Sequence, residues 1–249
     1  MREKLETRDY LLGAFVASCN PTNVEILGMN GLDFVFLDME HSQLGLETMV
    51  DMIRAAELNG MVPLVRVYTC ETKLMRRILD VGAHGIMVPM VNNREEAKYI
   101  MDAVKYPPCG LRGMNGGRGP RWGEYNNYIY EANDALITMF QCETREGYEN
   151  VEELAKTPGL DCIFIGTADL SMDLGHPWEV DHPEVAAAID RILKVCQENN
   201  VLPGIVTTSS EDAARRVQQG FRIVTIMNDL GFFKGQSKKH IEAVRAICG

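Results

Sequence analysis

The amino-acid sequence predicts a single (β/α)8 barrel over residues 1–249, and three observations carry that expectation. About eight short, almost wholly apolar runs recur along the chain. Amphipathic stretches at helical spacing separate them, which means parallel strands joined by helical crossovers. The 249 residues match the roughly 250 of one such barrel. A length prior alone also allows two small domains, but no linker or low-complexity stretch divides the chain.

The elements follow in order. Leu11–Ala17 and Asp33–Met39 are the first two strands; their near-continuous apolarity suits strands covered on both faces. Leu46–Asn59 reads as a helix. Leu46, Met49, Val50, Ile53 and Leu58 fall near helical spacing, and Gly60 stands where a C′ glycine belongs. Val62–Val67 is the third strand and Leu74–Val81 the next helix, ending at Gly82. Gly85–Met90 is the fourth strand, and Arg94–Val104 begins after Asn92 and Asn93, both good N-caps. Tyr106–Asn133 then breaks the rhythm: it is long and rich in Gly, Pro, Arg and aromatics, as functional or covering segments are. Ala135–Gln141 and Asp161–Ile165 are strands five and six, with helical Val151–Lys156 between them and Glu184–Asn199 after them. Leu202–Thr207 precedes helix Glu211–Gln219, which has serine before it, acids in its first turn and Gly220 at its end. Arg222–Met227 completes the eight strands, and the tail Lys239–Ile247 is amphipathic.

The formal net charge of −10 repels phosphate backbones and anionic lipid, so neither nucleic acid nor membrane partners are expected. Seven cysteines are scattered without a C-x-x-C pair, which argues against a zinc site or a disulfide framework. With no signal peptide and no long apolar stretch, the expectation is a cytoplasmic, soluble protein.

Barrel enzymes place their chemistry at the C-terminal ends of the strands. There this chain carries Asp38-Met39-Glu40-His41, Arg66, Gln141-Cys142-Glu143, Gly166-Thr167-Ala168-Asp169 and Asn228-Asp229. Singly, each has a bland reading: an acid such as Asp169 is often an N-cap, and a lone histidine is more often structural than a base. Together at one mouth they point to chemistry. Glu143 and Asp169 end adjacent strands, and two carboxylates with water and substrate oxygens suit a hard divalent cation such as Mg2+ or Mn2+. Arg66 is placed to bind a carboxylate or a developing enolate. His41, beside Glu40 and Asp38, offers an acid–base group, and Asp80 is a weaker candidate. Gly166, Thr167 and Ala168 offer backbone N–H groups for a substrate carboxylate. None of the nine lysines falls inside an expected strand, which argues against Schiff-base chemistry. No P-loop or glycine-rich phosphate cup is present, so a phosphorylated substrate is not expected.

These segments resemble the HpcH/HpaI family of class II pyruvate-dependent aldolases. The likeness runs through Asp33–His41, Val62–Arg66, Leu79–Ala83, Ile86–Val91, Tyr106–Gly113, Gln141–Gly147 and Phe164–Ser171, in that order. It implies that Glu143 and Asp169 bind Mg2+, Mn2+ or Co2+, and that Arg66 steadies a pyruvate enolate. It implies acid–base work by His41, helped by Asp38 and Asp80, and a pocket lined by Gln141. The seat for the pyruvyl carboxylate falls on Gly166, Thr167 and Ala168. The implied reaction is reversible cleavage of a 4-hydroxy-2-oxo acid to pyruvate and an aldehyde. The implied assembly is a homo-oligomer, hexamer or trimer, whose C-terminal helix (about 236–249) packs on or exchanges with a neighbouring subunit. The chain departs from the family pattern at Thr167, commonly Pro, and at Phe15, commonly Trp; Met114–Arg121 is glycine-rich and shortened and is expected to border the aldehyde side. Two other readings compete. A citrate- or malyl-CoA lyase-type enzyme would need a basic patch for CoA phosphates, and none is evident. A non-catalytic binder of pyruvate-like metabolites would not need the acid–base residues.

Overall fold

The computed structural model describes residues 1–249. Its eight strands are β1 (Leu11–Val16), β2 (Phe34–Asp38), β3 (Val62–Arg66), β4 (Gly85–Val88), β5 (Ile137–Cys142), β6 (Cys162–Ile165), β7 (Leu202–Thr207) and β8 (Ile223–Asn228). Each pairs in parallel with its neighbours, and β8 pairs with β1, so the sheet closes on itself and leaves no edge. The expected (β/α)8 barrel is the observed one.

Twelve helices accompany the strands: α1 (Arg2–Thr7), α2 (Pro21–Met29), α3 (Leu46–Leu58), α4 (Thr72–Asp80), α5 (Arg94–Val104), α6 (Tyr128–Ala135), α7 (Arg145–Glu149), α8 (Val151–Ala155), α9 (Thr167–Asp173), α10 (Pro183–Glu198), α11 (Ser210–Gln219) and α12 (Asp229–Cys248). Several start and stop where the sequence signals them. Asn93 Oδ1 accepts from Glu96 N, Ser209 Oγ accepts from Asp212 N, and Gly220 closes α11 with φ +107°. Helix α2 lay outside the sequence expectation, although Asn20 caps it and Pro21 sits at its first position. It buries only Val24 and Leu27, so its apolar stripe is thin. Leu58, expected on the buried face of α3, is exposed.

Two apolar clusters form. The larger joins the outward strand residues, such as Val35, Leu37, Val65, Phe140 and Ile163, to the helices. The smaller fills the barrel with Leu11, Phe15, Phe34, Phe36, Leu64, Met139, Phe164 and others. Phe36 stacks on Phe15 at 4.9 Å and meets Phe164 edge-on at 5.3 Å. This aromatic plug is the floor on which the inward residues at the strand ends stand.

The long segment after α5 corrects one expectation. It runs from a helix into the next strand, and in a parallel barrel such a connection lies at the N-terminal end. Met114–Arg121 therefore does not border its own chain's mouth. Asn115 bonds Asp80 at 2.6 Å, and Arg118 pairs with Glu57, which tie the segment to the ends of α4 and α3. A cleft of about 860 Å3 opens there, lined by Glu57, His84, Arg112, Arg118 and Trp122 among others.

Candidate active site

Alternation along the strands builds the mouth. Phe34 and Phe36 face the interior, so Asp38 does too; Leu64 leads to Arg66, Met139 to Gln141 and then Glu143, and Phe164 to Gly166. Five of the expected site residues are thus the top inward layer of four strands.

Arg66 is 8% exposed and held on three sides. Its Nε and Nη2 donate to Asp38 Oδ1 and Oδ2 at 3.0 and 2.7 Å, and its Nη1 lies 3.2 Å from Glu40 Oε2. The guanidinium rests 4.5 Å above the Phe15 ring. Asp38 Oδ1 also accepts from the backbone N–H groups of Glu40 and His41 at 3.0 and 3.3 Å, so one carboxylate orients both the arginine and the turn that follows. His41 Nε2 stands 3.8 Å from Glu40 Oε2, with its side chain largely in solvent.

Glu143 is 3% exposed. Met90 N–H donates to its Oε1 at 3.0 Å, and Gln141 Nε2 donates to its Oε2. Burial, together with the negative charges of Asp169 and Glu40, pushes its carboxyl up to about 8, against the pull of those two hydrogen bonds. Glu40 is raised as well, by burial first, with Arg66 and His41 opposing. Asp169 lies in the first turn of α9, and no side chain caps that helix at Gly166. The backbone N–H groups of Thr167 and Ala168 face the same end.

Whether a divalent cation fits is tested by these groups themselves. The charges of Asp169 and Glu40 raise Glu143, that of Asp169 raises Glu40, and Gln141 Oε1 is buried with no donor in the chain. An all-oxygen, electron-rich set short of positive charge matches a hard dication. Gly166 belongs to the same construction: a Cβ there would stand 2.9 Å from Gln141 Nε2 and still closer to Glu143 Oε2.

Asp80 is the expected site residue that the fold does not bring to this mouth. It ends α4, which runs antiparallel to the strands, so it lies at the opposite end. There its Oδ1 accepts from Arg112 Nη2 at 2.8 Å and from Asn115. Asp229 is buried but structural: it accepts from the N–H groups of Ala17 and Ser18 and closes the gap between β8 and β1. Glu40, part of the sequence motif but unassigned there, pairs with Arg66 and stands close enough to Glu143 for its charge to act on it. Its position two residues beyond inward-facing Asp38 was the available signal. No lysine lies in any strand, and buried Lys105 bonds Asn133 O and Leu136 O below the barrel.

The parallel eight-stranded barrel, with clustered carboxylates and a clamped arginine at its mouth, accommodates the class that the chain's relatives define, a carbon–carbon lyase of the aldolase type. The chain belongs to the HpcH/HpaI aldolase/citrate lyase family, whose model matches residues 11–234. This family is a divalent-metal-dependent group. The chain is 33% identical over 236 residues to a 5-keto-4-deoxy-D-glucarate aldolase of Shigella boydii, covering 94% of this chain and 92% of that one. Among solved structures, an HpcH/HpaI aldolase/citrate lyase family protein from Burkholderia cenocepacia superposes with TM-score 0.93 at 30% identity, covering 98% of both chains. The citrate synthase SbnG superposes with TM-score 0.87, also at 30% identity, covering 99% of this chain and 96% of that one. No helix is long and apolar enough to cross a membrane.

Proposed function

We propose that the chain cleaves a 4-hydroxy-2-oxo acid reversibly to pyruvate and an aldehyde. The observation that carries this reading is the buried Glu143 carboxylate, held by Met90 N–H and Gln141 near Asp169 and Glu40, beside an arginine locked by Asp38. Glu143 and Asp169 would hold a divalent cation, Mg2+, Mn2+ or Co2+. When bound, it supplies Lewis acidity to the oxygens of the 2-oxo acid. Thr167 and Ala168 N–H groups, with Gly166, receive the substrate carboxylate, and Gln141 lines the pocket beside Glu143. His41 takes the proton of the 4-hydroxyl as the carbon–carbon bond breaks. Arg66 has N–H groups to spare after serving Asp38 and Glu40, and it faces the negative charge that develops on the pyruvyl oxygen. Asp38 acts through Arg66 and is a positioning residue.

Activity assayed with pyruvate and a panel of aldehydes tests the reading. Chelation abolishes condensation and Mg2+, Mn2+ or Co2+ restores it; full activity in chelator, or a borohydride-trapped lysine adduct with pyruvate, overturns it. The 5-keto-4-deoxy-D-glucarate aldolase relatives favour short aldehydes bearing a carboxylate as first members of the panel.

The chain is read as one domain that associates with copies of itself. Helix α12 buries only Asp229 and exposes Phe233, Val244 and Ile247, a face suited to a neighbouring subunit. Sedimentation of the full chain against Phe233→Glu tests this: a monomeric wild type removes it.

A further inference from the structure

A second group of metal-binding side chains lies outside the mouth. His176, His182 and Glu184 bring three candidate ligand atoms within 4.8 Å of one another. His176 Nε2 lies 2.9 Å from Glu184 Oε2, and the two imidazoles stack with centroids 3.4 Å apart. His182 Nδ1 accepts the N–H of Glu184 at 3.3 Å as the cap of α10. In a neutral ring that bond puts the proton on Nε2, so the 3.3 Å bond yields and the proton moves to Nδ1 before Nε2 can ligate a cation.

The segment that presents these groups is built, not loose. His176 N donates to Ser171 O at 2.8 Å, Glu179 N to His176 O at 3.0 Å, and His182 N to Glu179 O at 2.9 Å. Buried Ser171 also accepts from Trp178 N at 3.1 Å. Consecutive turns therefore hold both rings against the first turn of α10. Arg145 approaches Glu184 from the other side, with Nη2 3.6 Å from Oε1, and leaves Oε2 to the histidines.

We propose that His176, His182 and Glu184 bind a borderline divalent cation of the Zn2+ class on the crossover between β6 and α10. Two imidazoles and one carboxylate select such an ion over Mg2+, whereas the expected ligands at the mouth, Glu143 and Asp169, offer oxygen alone. Donors 2.9 Å apart, as His176 Nε2 and Glu184 Oε2 are, subtend about 90° at an ion roughly 2.1 Å from each. Each neutral ring binds the cation through its Nε2 lone pair and keeps its one proton on Nδ1, so His182 gives up its cap bond, and water completes the shell. It ties the exit of α9, the helix that carries Asp169, to the start of α10.

The test titrates ZnCl2 into metal-free Glu143→Gln/Asp169→Asn protein, which lacks the mouth carboxylates, by calorimetry. One equivalent binds; MgCl2 at the same concentration gives no binding. Introducing His176→Gln or Glu184→Gln weakens Zn2+ at least tenfold, and NiCl2 quenches Trp178 fluorescence only while His176 is present, with Trp178→Phe as the control. If the double variant misfolds, wild type serves: it binds two equivalents of Zn2+, and His176→Gln binds one with its Mg2+-supported activity unchanged. No Zn2+ binding outside the mouth, or binding indifferent to His176→Gln, overturns the proposal.

Discussion

Arg66 and Asp38 meet edge to edge, Nε to Oδ1 at 3.0 Å and Nη2 to Oδ2 at 2.7 Å, at the tops of paired strands β2 and β3. The fork fixes the guanidinium plane, which a lysine ammonium cannot reproduce. Arg66→Lys is expected to lower kcat by about a hundredfold or more, the usual effect of losing one preorganised donor. Asp38→Ala leaves a buried guanidinium without its main partner and costs about 3–5 kcal/mol in denaturant unfolding. Near wild-type turnover by Arg66→Lys would remove the fork from the reaction.

Gly166 makes room for Glu143. Its φ of −85° is open to any residue, so Gly166→Ala adds a methyl without backbone strain, and the methyl meets the Glu143 carboxylate. Mn2+ affinity, followed by electron paramagnetic resonance, is expected to weaken about 10–100-fold, as when a ligand's support is disturbed. Circular dichroism should be unchanged. Unaltered Mn2+ affinity would show that the carboxylate does not need its present place.

The raised Glu143 carboxyl makes proton and cation competitors. Its folded value of about 8 exceeds the ordinary 4.5. Between these values the folded chain keeps a proton that the unfolded chain releases, so metal-free stability falls as pH rises through that window. Cation affinity rises across the same window, by about one log unit per pH unit below 8. Calorimetry with MnCl2 at about pH 6 and about pH 8 measures the slope, and a flat response contradicts it.

Glu57 behaves oppositely. Burial alone would raise it, but hydrogen bonds from His84 and Arg118, with their charges, hold it at about 2. A depressed acid stabilises above its ordinary 4.5 and loses that contribution as pH falls toward 2. Glu57→Gln should therefore flatten the acid limb of the unfolding profile and cost about 1 kcal/mol or less at neutral pH, since the pair is partly exposed. An unchanged acid limb would show that other carboxylates dominate it.

Local patterning carries most of the fold. Strands β3 and β7 begin where the apolar runs Val62–Val67 and Leu202–Thr207 begin, because residues buried on both faces must all be apolar. Helix ends at Asn93, Ser209 and Gly220 were readable because capping is chemistry within a few residues. Helix α6 was hidden inside Tyr106–Asn133, where glycines and aromatics mask a helix that buries only Ala132.

The site divides along the same line. The sequence by itself determined the barrel, the order of its units and the acids, arginine and histidine that end its strands. Only the tertiary structure decided which strand residues point inward, because a run apolar on both faces does not reveal its register. It raised Glu40 to a partner of Arg66 and turned Asp229 into a clasp between β8 and β1. It sent Asp80 and Met114–Arg121 to the far end of the barrel. Those outcomes follow from strand direction and closure, which arise only when distant segments pair.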